Sequence, residues 1–236
     1  MLNVWSRRIG GWILGGVILL SLSFCAKDDS TPSTVLDVNG FGYSNMNRNS
    51  VRQGLDNFPL ENLSAAEENS LLFMWEEERL AHDVYIYLFE KWNLPVFQNI
   101  SNSEATHVES VGLLLDRYGL NRPSDADALG VYADTALQSL YYTLTLSGAQ
   151  SIEAALKVGA AVEEIDILDL NRLMKEVVDN QDITWVYTNL RSASGNHLRA
   201  FVQNMSTRSI TYVPQYMDPT DYQVIISSDW DRGRPF

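Results

Sequence analysis

The chain has 236 residues, enough for one ordinary domain with tails and a sizeable core. Hydrophobic residues make up 45% and charged residues 20%, a globular balance and not a disordered one. The formal charge of -13 argues against nucleic acid or an anionic membrane surface as partner, and it is compatible with cation binding.

Arg7 and Arg8 precede an uncharged apolar run from Ile9 to Phe24. The run has signal-peptide length and is shorter than the ~20 residues of a typical membrane span. Cys25 follows directly and is the only cysteine, so it has no internal disulfide partner. The segment resembles a bacterial lipoprotein signal, although Phe24 stands where a small residue is usual. The resemblance implies lipidation at Cys25 and attachment of the exported protein to the bacterial outer membrane or cell surface. An ordinary cleaved signal, leaving a periplasmic protein, is the alternative.

Residues 25–57 are rich in Ser, Asn, Asp and Gly and read as a flexible tether after a signal peptide over 1–24. Ser64 and Glu67 form a capping box that opens a first long helix, running to about Trp92. Asn93 and Pro95 stop it. A second helix runs from Pro95 or Phe97 to Tyr118, with Gly119 as its C-terminal signal. Residues 121–130 are loop, and a short helix follows from Tyr132 or Asp134 to Leu146. Ser151 caps a third long helix that closes at Val177–Asn180, and Asp182 opens a fourth that reaches Met205. Residues 207–236 hold Pro214, Pro219 and Pro235 and read as an irregular tail lying on the bundle or partly disordered.

The predicted class is therefore all-α. Residues 58–206 form a four-helix bundle whose long crossover between helices two and three contains a short extra helix. That is the ferritin-like topology, with a five-helix array as the alternative.

Each long helix carries a candidate ligand on its core stripe. Glu104 and His107, three apart on the second helix, share one face with Ile100, Val111 and Leu114. Glu78 lies on the stripe of Trp75, Tyr85 and Leu88, while Glu76 and Glu77 read as solvated. His82 reads as a boundary histidine. The third helix places Glu163 and Asp166 inward with Glu164 at the shoulder, and Gly159 and Ala160 allow close approach of another helix. His197 sits in the row Tyr187, Leu190, Ser194 and Phe201. Buried carboxylates beside imidazoles need cations, protons or polar partners, and these residue types suit iron, manganese or zinc. The metal-free alternative is a polar core of Glu–His and Glu–Arg pairs using Arg79, Arg117 or Arg199.

Four blocks carry a resemblance. They are Glu76–Tyr85, Phe97–His107, Val158–Leu170 and Ser192–Phe201. Together they resemble an uncharacterised domain-of-unknown-function family placed in the ferritin-like superfamily, over about Leu63 to Met205. The resemblance implies a ferritin-like bundle with room for a di-iron or related metal centre, and assigns no reaction. The superfamily's second Glu-x-x-His is incomplete at Ser194, a gap for Asp166 or Glu164 to fill.

Two functions follow as expectations. One is an exported, lipid-anchored metal protein with ligands Glu78, Glu104, His107, Glu163, Asp166 and His197, acting as a di-metal oxidoreductase or a simple metal binder. In it Glu163 or Glu104 bridges, and His107 and His197 cap one metal each. Tyr85, Tyr187 and Trp75 are read as core packing ahead of electron donation. The other is a metal-free helical binding module at the cell surface. A homodimer fits either reading, and a storage cage fits neither.

Overall fold

Seven helices and one two-stranded ribbon make up residues 34–123 and 128–236, the part of the chain described by this computed structural model. The signal segment and Cys25 lie outside the described residues.

Two helical hairpins dominate. In the first, α2 (Ala65–Trp92) and α3 (Pro95–Tyr118) are joined through Asn93, whose left-handed backbone (φ 50°) turns the chain. Pro95 occupies the first turn of α3, where a missing N–H costs nothing. In the second, α5 (Ile152–Glu176) and α6 (Gln181–Ser206) pack along one another. The hairpins meet along α2–α5 and α3–α6. The crossover between them carries α4 (Thr135–Gly148), which lies against α2 and α5 and is capped by Asp134. The all-α class and the four long helices stand where the sequence places them.

Caps fix the ends of these helices. Ser64 and Glu67 form the expected capping box. Glu67 does more: its second oxygen accepts the backbone N–H groups of Asp179 and Asn180, tying the start of α2 to the α5–α6 link. At Gly159 a Cβ would stand 2.4 Å from the Phe201 ring, so only glycine lets α5 and α6 approach as they do.

Two segments differ from expectation. The stretch read as a tether folds over Leu36–Leu55. Strands β1 (Leu36–Val38) and β2 (Ser44–Met46) pair antiparallel, with Leu36 opposite Met46, and α1 (Arg48–Leu55) follows. Val35, Leu36, Met46, Val51 and Leu55 are buried, and β2 lies on α3 and α6. A handful of apolar residues suffices because the ribbon lands on an existing apolar surface. The C-terminal tail lies on the helices, as one of the expectations had it, but it contains α7 (Pro219–Ser227), opened by Asp218 and Pro219. Tyr212, Met217 and Tyr222 anchor it in the core.

Among the described residues no helix is long and apolar enough to cross a membrane.

Candidate metal centre

The core divides into two apolar clusters. One gathers Leu80, Tyr85, Leu88, Phe97, Ile100, Leu156 and Phe201; the other Leu71, Met74, Trp75, Val111, Leu114, Leu170 and Leu190. Each long helix passes from one cluster to the other. At the crossing it presents polar side chains: Glu78 on α2, Glu104 and His107 on α3, Glu163 on α5, His197 on α6. All five are at most 2% exposed.

They form two triads sharing one carboxylate. Glu78, Glu104 and His107 make one, Glu104, Glu163 and His197 the other, and in each a donor atom from every residue lies within 4.8 Å of the other two. His107 Nδ1 stands 2.7 Å from Glu104 Oε2 and 3.4 Å from Glu78 Oε2. His197 Nδ1 stands 2.9 Å from Glu104 Oε1 and 3.5 Å from Glu163 Oε2. The two imidazoles are nearly parallel, with centroids 5.4 Å apart.

Neighbouring groups orient the donors. His107 Nε2 is 3.0 Å from the carbonyl of Ser44 on β2. A carbonyl only accepts, so Nε2 carries a hydrogen, and Nδ1 is the nitrogen left to face the carboxylates. Ser44 is itself held: its N–H donates to Ser103 Oγ, and Asn196 Nδ2 donates to its hydroxyl. The Tyr85 hydroxyl donates to Glu163 Oε1 at 2.5 Å. Other atoms are left over. Glu78 Oε1 and both ring nitrogens of His197 are buried without a hydrogen bond, the 2.9 Å contact to Glu104 being an ion-pair distance only. Buried polar atoms without partners are unusual, and these belong to residues of the two triads.

The cluster strongly perturbs its own ionisation. Burial raises Glu78 to about 7, against the pull of His107. Burial also raises Glu163, partly offset by His197. Burial works to raise Glu104 too, but the two histidines outweigh it and hold its carboxyl well below the usual range. The histidines respond in kind. Desolvation alone would lower them, yet Glu104 and its companions lift His197 to about 9 and His107 well above its ordinary value. Too many carboxylates share too little water, and only positive charge relieves them.

Asp166 lies outside both triads. Its Oδ2 accepts the Ser194 hydroxyl at 2.5 Å, so the serine at the incomplete Glu-x-x-His position binds an acid from α5. Glu164 is fully buried on the far side of α5, accepting the Tyr212 hydroxyl and the N–H groups of Gln215, Tyr216 and Met217. Glu76 and Glu77, read as solvated, are buried as well. Glu76 accepts the N–H groups of Ala133 and Asp134 at the start of α4. His82 is a half-buried boundary residue bonded to Asp83. Arg117 is committed to Asp182, and Arg199 to the Ile225 carbonyl and its neighbours, so neither neutralises the cluster. A surface cleft of about 490 Å³ between α4, α5 and residues 211–216 is lined by no histidine and by none of the triad residues.

The family described as "Uncharacterized protein domain (DUF2202)" matches residues 67–229. The chain belongs to this DUF2202 family. The match runs from the first turn of α2 past α7, so it takes in both hairpins, all five triad residues and the folded tail. A curated relative, "Uncharacterized protein MJ0754" of Methanocaldococcus jannaschii, is 41% identical over 179 residues, covering 76% of this chain and 96% of the relative. The crystal structure of hypothetical protein MJ0754 from Methanococcus jannaschii superposes with a TM-score of 0.71 at 42% identity, covering 73% of this chain and 98% of that one. This DUF2202 fold thus extends beyond Met205, where the sequence resemblance was expected to end.

Proposed function

We propose that this DUF2202 protein holds two transition-metal ions in a ferritin-like four-helix core. The observation that carries the reading is Glu104, whose two oxygens each face a different histidine within a buried, donor-only cluster. Glu104 would be shared, with Glu78 and His107 holding one ion and Glu163 and His197 the other. The donor set fits: carboxylates and imidazoles suit iron, manganese and zinc, and Arg117 and Arg199 are committed elsewhere. Iron is the preferred occupant for the redox reading, in which the bound pair supplies electron-transfer chemistry toward a small oxidant.

The protein's own residues prepare the site. Ser44 sets the His107 tautomer, Tyr85 orients Glu163, and the apolar clusters on both sides exclude water. Second-shell partners of this kind fix ligand direction and basicity. Attachment outside the cytoplasm through a lipid on Cys25 belongs to the same proposal, supported by the sequence of residues 7–29.

The test is metal content of the purified full chain after separate reconstitution with iron, manganese and zinc, with an absorption spectrum of the iron form in air. Two equivalents, falling on Glu104→Ala/His107→Ala substitution, are expected. Less than about a tenth of an equivalent of every metal refutes the centre and leaves the metal-free binding module.

A further inference from the structure

Glu77 is a buried carboxylate with no role in either triad. It is 4% exposed, and neither of its oxygens meets a hydrogen-bond donor. Asp166 is 6% exposed, and its Oδ1 is likewise unpartnered. The two line one small cavity between α2, α4 and α5, about 10 Å³ in volume, whose apolar walls include Leu80, Leu144 and Val162. That volume admits a single water or a single bare ion. Three donor-less carboxylate oxygens around an apolar-walled space of that size are unfavourable unless a cation or proton shares them.

The pair also stands next to the triads in the helices: Glu77 adjoins Glu78 on α2, and Asp166 is one turn from Glu163 on one side and from Asp169 on the other. On the outer side Glu77 lies against Asp169, one turn beyond Asp166 on α5. The Asp169 side chain is 25% exposed and is paired with Arg172 at 2.6 Å on the surface. On the inner side Asp166 feels the charges of Glu78 and Glu163, one from each triad. Along α5, acids at one-turn spacing thus run from the partly exposed Asp169 to the buried Asp166 and Glu163.

We propose that Glu77 and Asp166 form a third cation site, through which divalent ions pass from the Asp169 surface to the paired centre. This rests on the metal reading above and deepens it. The site is a waypoint: it holds an ion with two carboxylates and apolar walls and no imidazole, so it binds more weakly than the triads and releases inward. Ser194 holds Oδ2 of Asp166 and leaves Oδ1 without a hydrogen bond.

The experiment mixes the metal-free full chain with Co²⁺ alone in a stopped-flow instrument and follows the metal's visible absorption. Glu77→Gln and Asp166→Asn each slow filling by about tenfold or more, the scale on which local charge governs association rates. Both still reach the wild-type end point of two equivalents, which also shows that they fold. The exposed variant Asp169→Asn slows filling to a smaller degree, and Glu153→Gln, on the outer face of α5, fills at the wild-type rate. Filling of Glu77→Gln and Asp166→Asn at the wild-type rate overturns the waypoint while leaving the paired centre standing. A wild-type chain that takes up no Co²⁺ overturns the paired centre and the waypoint with it.

Discussion

Glu104→Gln isolates the electrostatics of the shared carboxylate. The substitution keeps volume and removes the one charge that faces both imidazoles, at 2.7 and 2.9 Å, in a site closed to solvent. Breaking a buried ion pair by neutralising one partner costs about 3–5 kcal/mol, because the other charge is left uncompensated. The histidines limit the damage, since each sheds its proton instead of remaining charged. His197, held at about 9 in place of 6.5, bounds that route at roughly 3 kcal/mol. The metal-free variant is thus expected to lose about 3 kcal/mol in urea unfolding at pH 7. The pH dependence carries the sharper content. A histidine raised in the folded state contributes stability that is fully present below its unfolded value and is lost as pH rises through its folded value. The gap between wild type and variant therefore narrows between pH 7 and 9.5 as His197 loses its proton. A gap below about 1 kcal/mol at pH 7, or one that stays constant over that range, refutes the charge coupling inferred for the cluster.

Gly159→Ala places a methyl group 2.4 Å from the Phe201 ring and is expected to cost about 1–3 kcal/mol of stability by overpacking, read as a shift in the urea midpoint with unchanged slope. Glu164→Ala removes the acceptor for one hydroxyl and three backbone N–H groups; limited proteolysis should then cut within residues 207–218, which wild type protects. Glu67 has a carboxyl held below its ordinary value: burial opposes this, but the N–H groups of Ser64, Asn180 and Asp179 prevail. Its contribution is present above the usual carboxylate range and lost as pH falls through the lowered value, so Glu67→Gln should flatten the acid limb of the stability curve and leave the neutral region less stable than wild type.

The four long helices were legible because their ends are chemically marked: Ser64 with Glu67, Asn93 with Pro95, Gly119, and Ser151 each announce a boundary that the fold respects. Glu78, Glu104, His107, Glu163 and His197 were legible because a 3.6-residue period puts them on core stripes. Glu77 was not, for a physical reason. Three consecutive glutamates cannot all face one neighbour, so a two-sided helix would leave some in water. But α2 is covered on several sides, by α3, α4 and α5, and each glutamate of the run meets a different one. The ribbon at Leu36–Met46 was hidden because its strands are three residues long and its stability comes from the surface it lands on, not from its own pattern. Pro214 and Pro219 suggested irregularity, yet Pro219 starts a helix, a position where proline is preorganised and its missing donor is not needed.

The two triads have the same composition and different supports, and the difference bears on how they act. In the first, the histidine is pinned by the Ser44 carbonyl while Glu78 keeps an unpartnered oxygen. In the second, the carboxylate is pinned by Tyr85 while both nitrogens of His197 lack hydrogen bonds. In the proposed centre each half would thus have one residue fixed by the protein and one with freedom to adjust around the shared Glu104. Fixed ligands set where an ion sits; adjustable ones let its coordination change without moving a helix. The pins come from different layers. Tyr85 is part of α2, whereas Ser44 belongs to the N-terminal ribbon, held in turn by Asn196 of α6, which also bonds the backbone of Asp231 near the C-terminus. Asn196 thus links the N-terminal ribbon, which holds His107, to the backbone near the C-terminus. That is why a stretch with so little apolar content is retained against the core: its carbonyl at Ser44 satisfies a buried ring nitrogen that no helix of the two hairpins reaches.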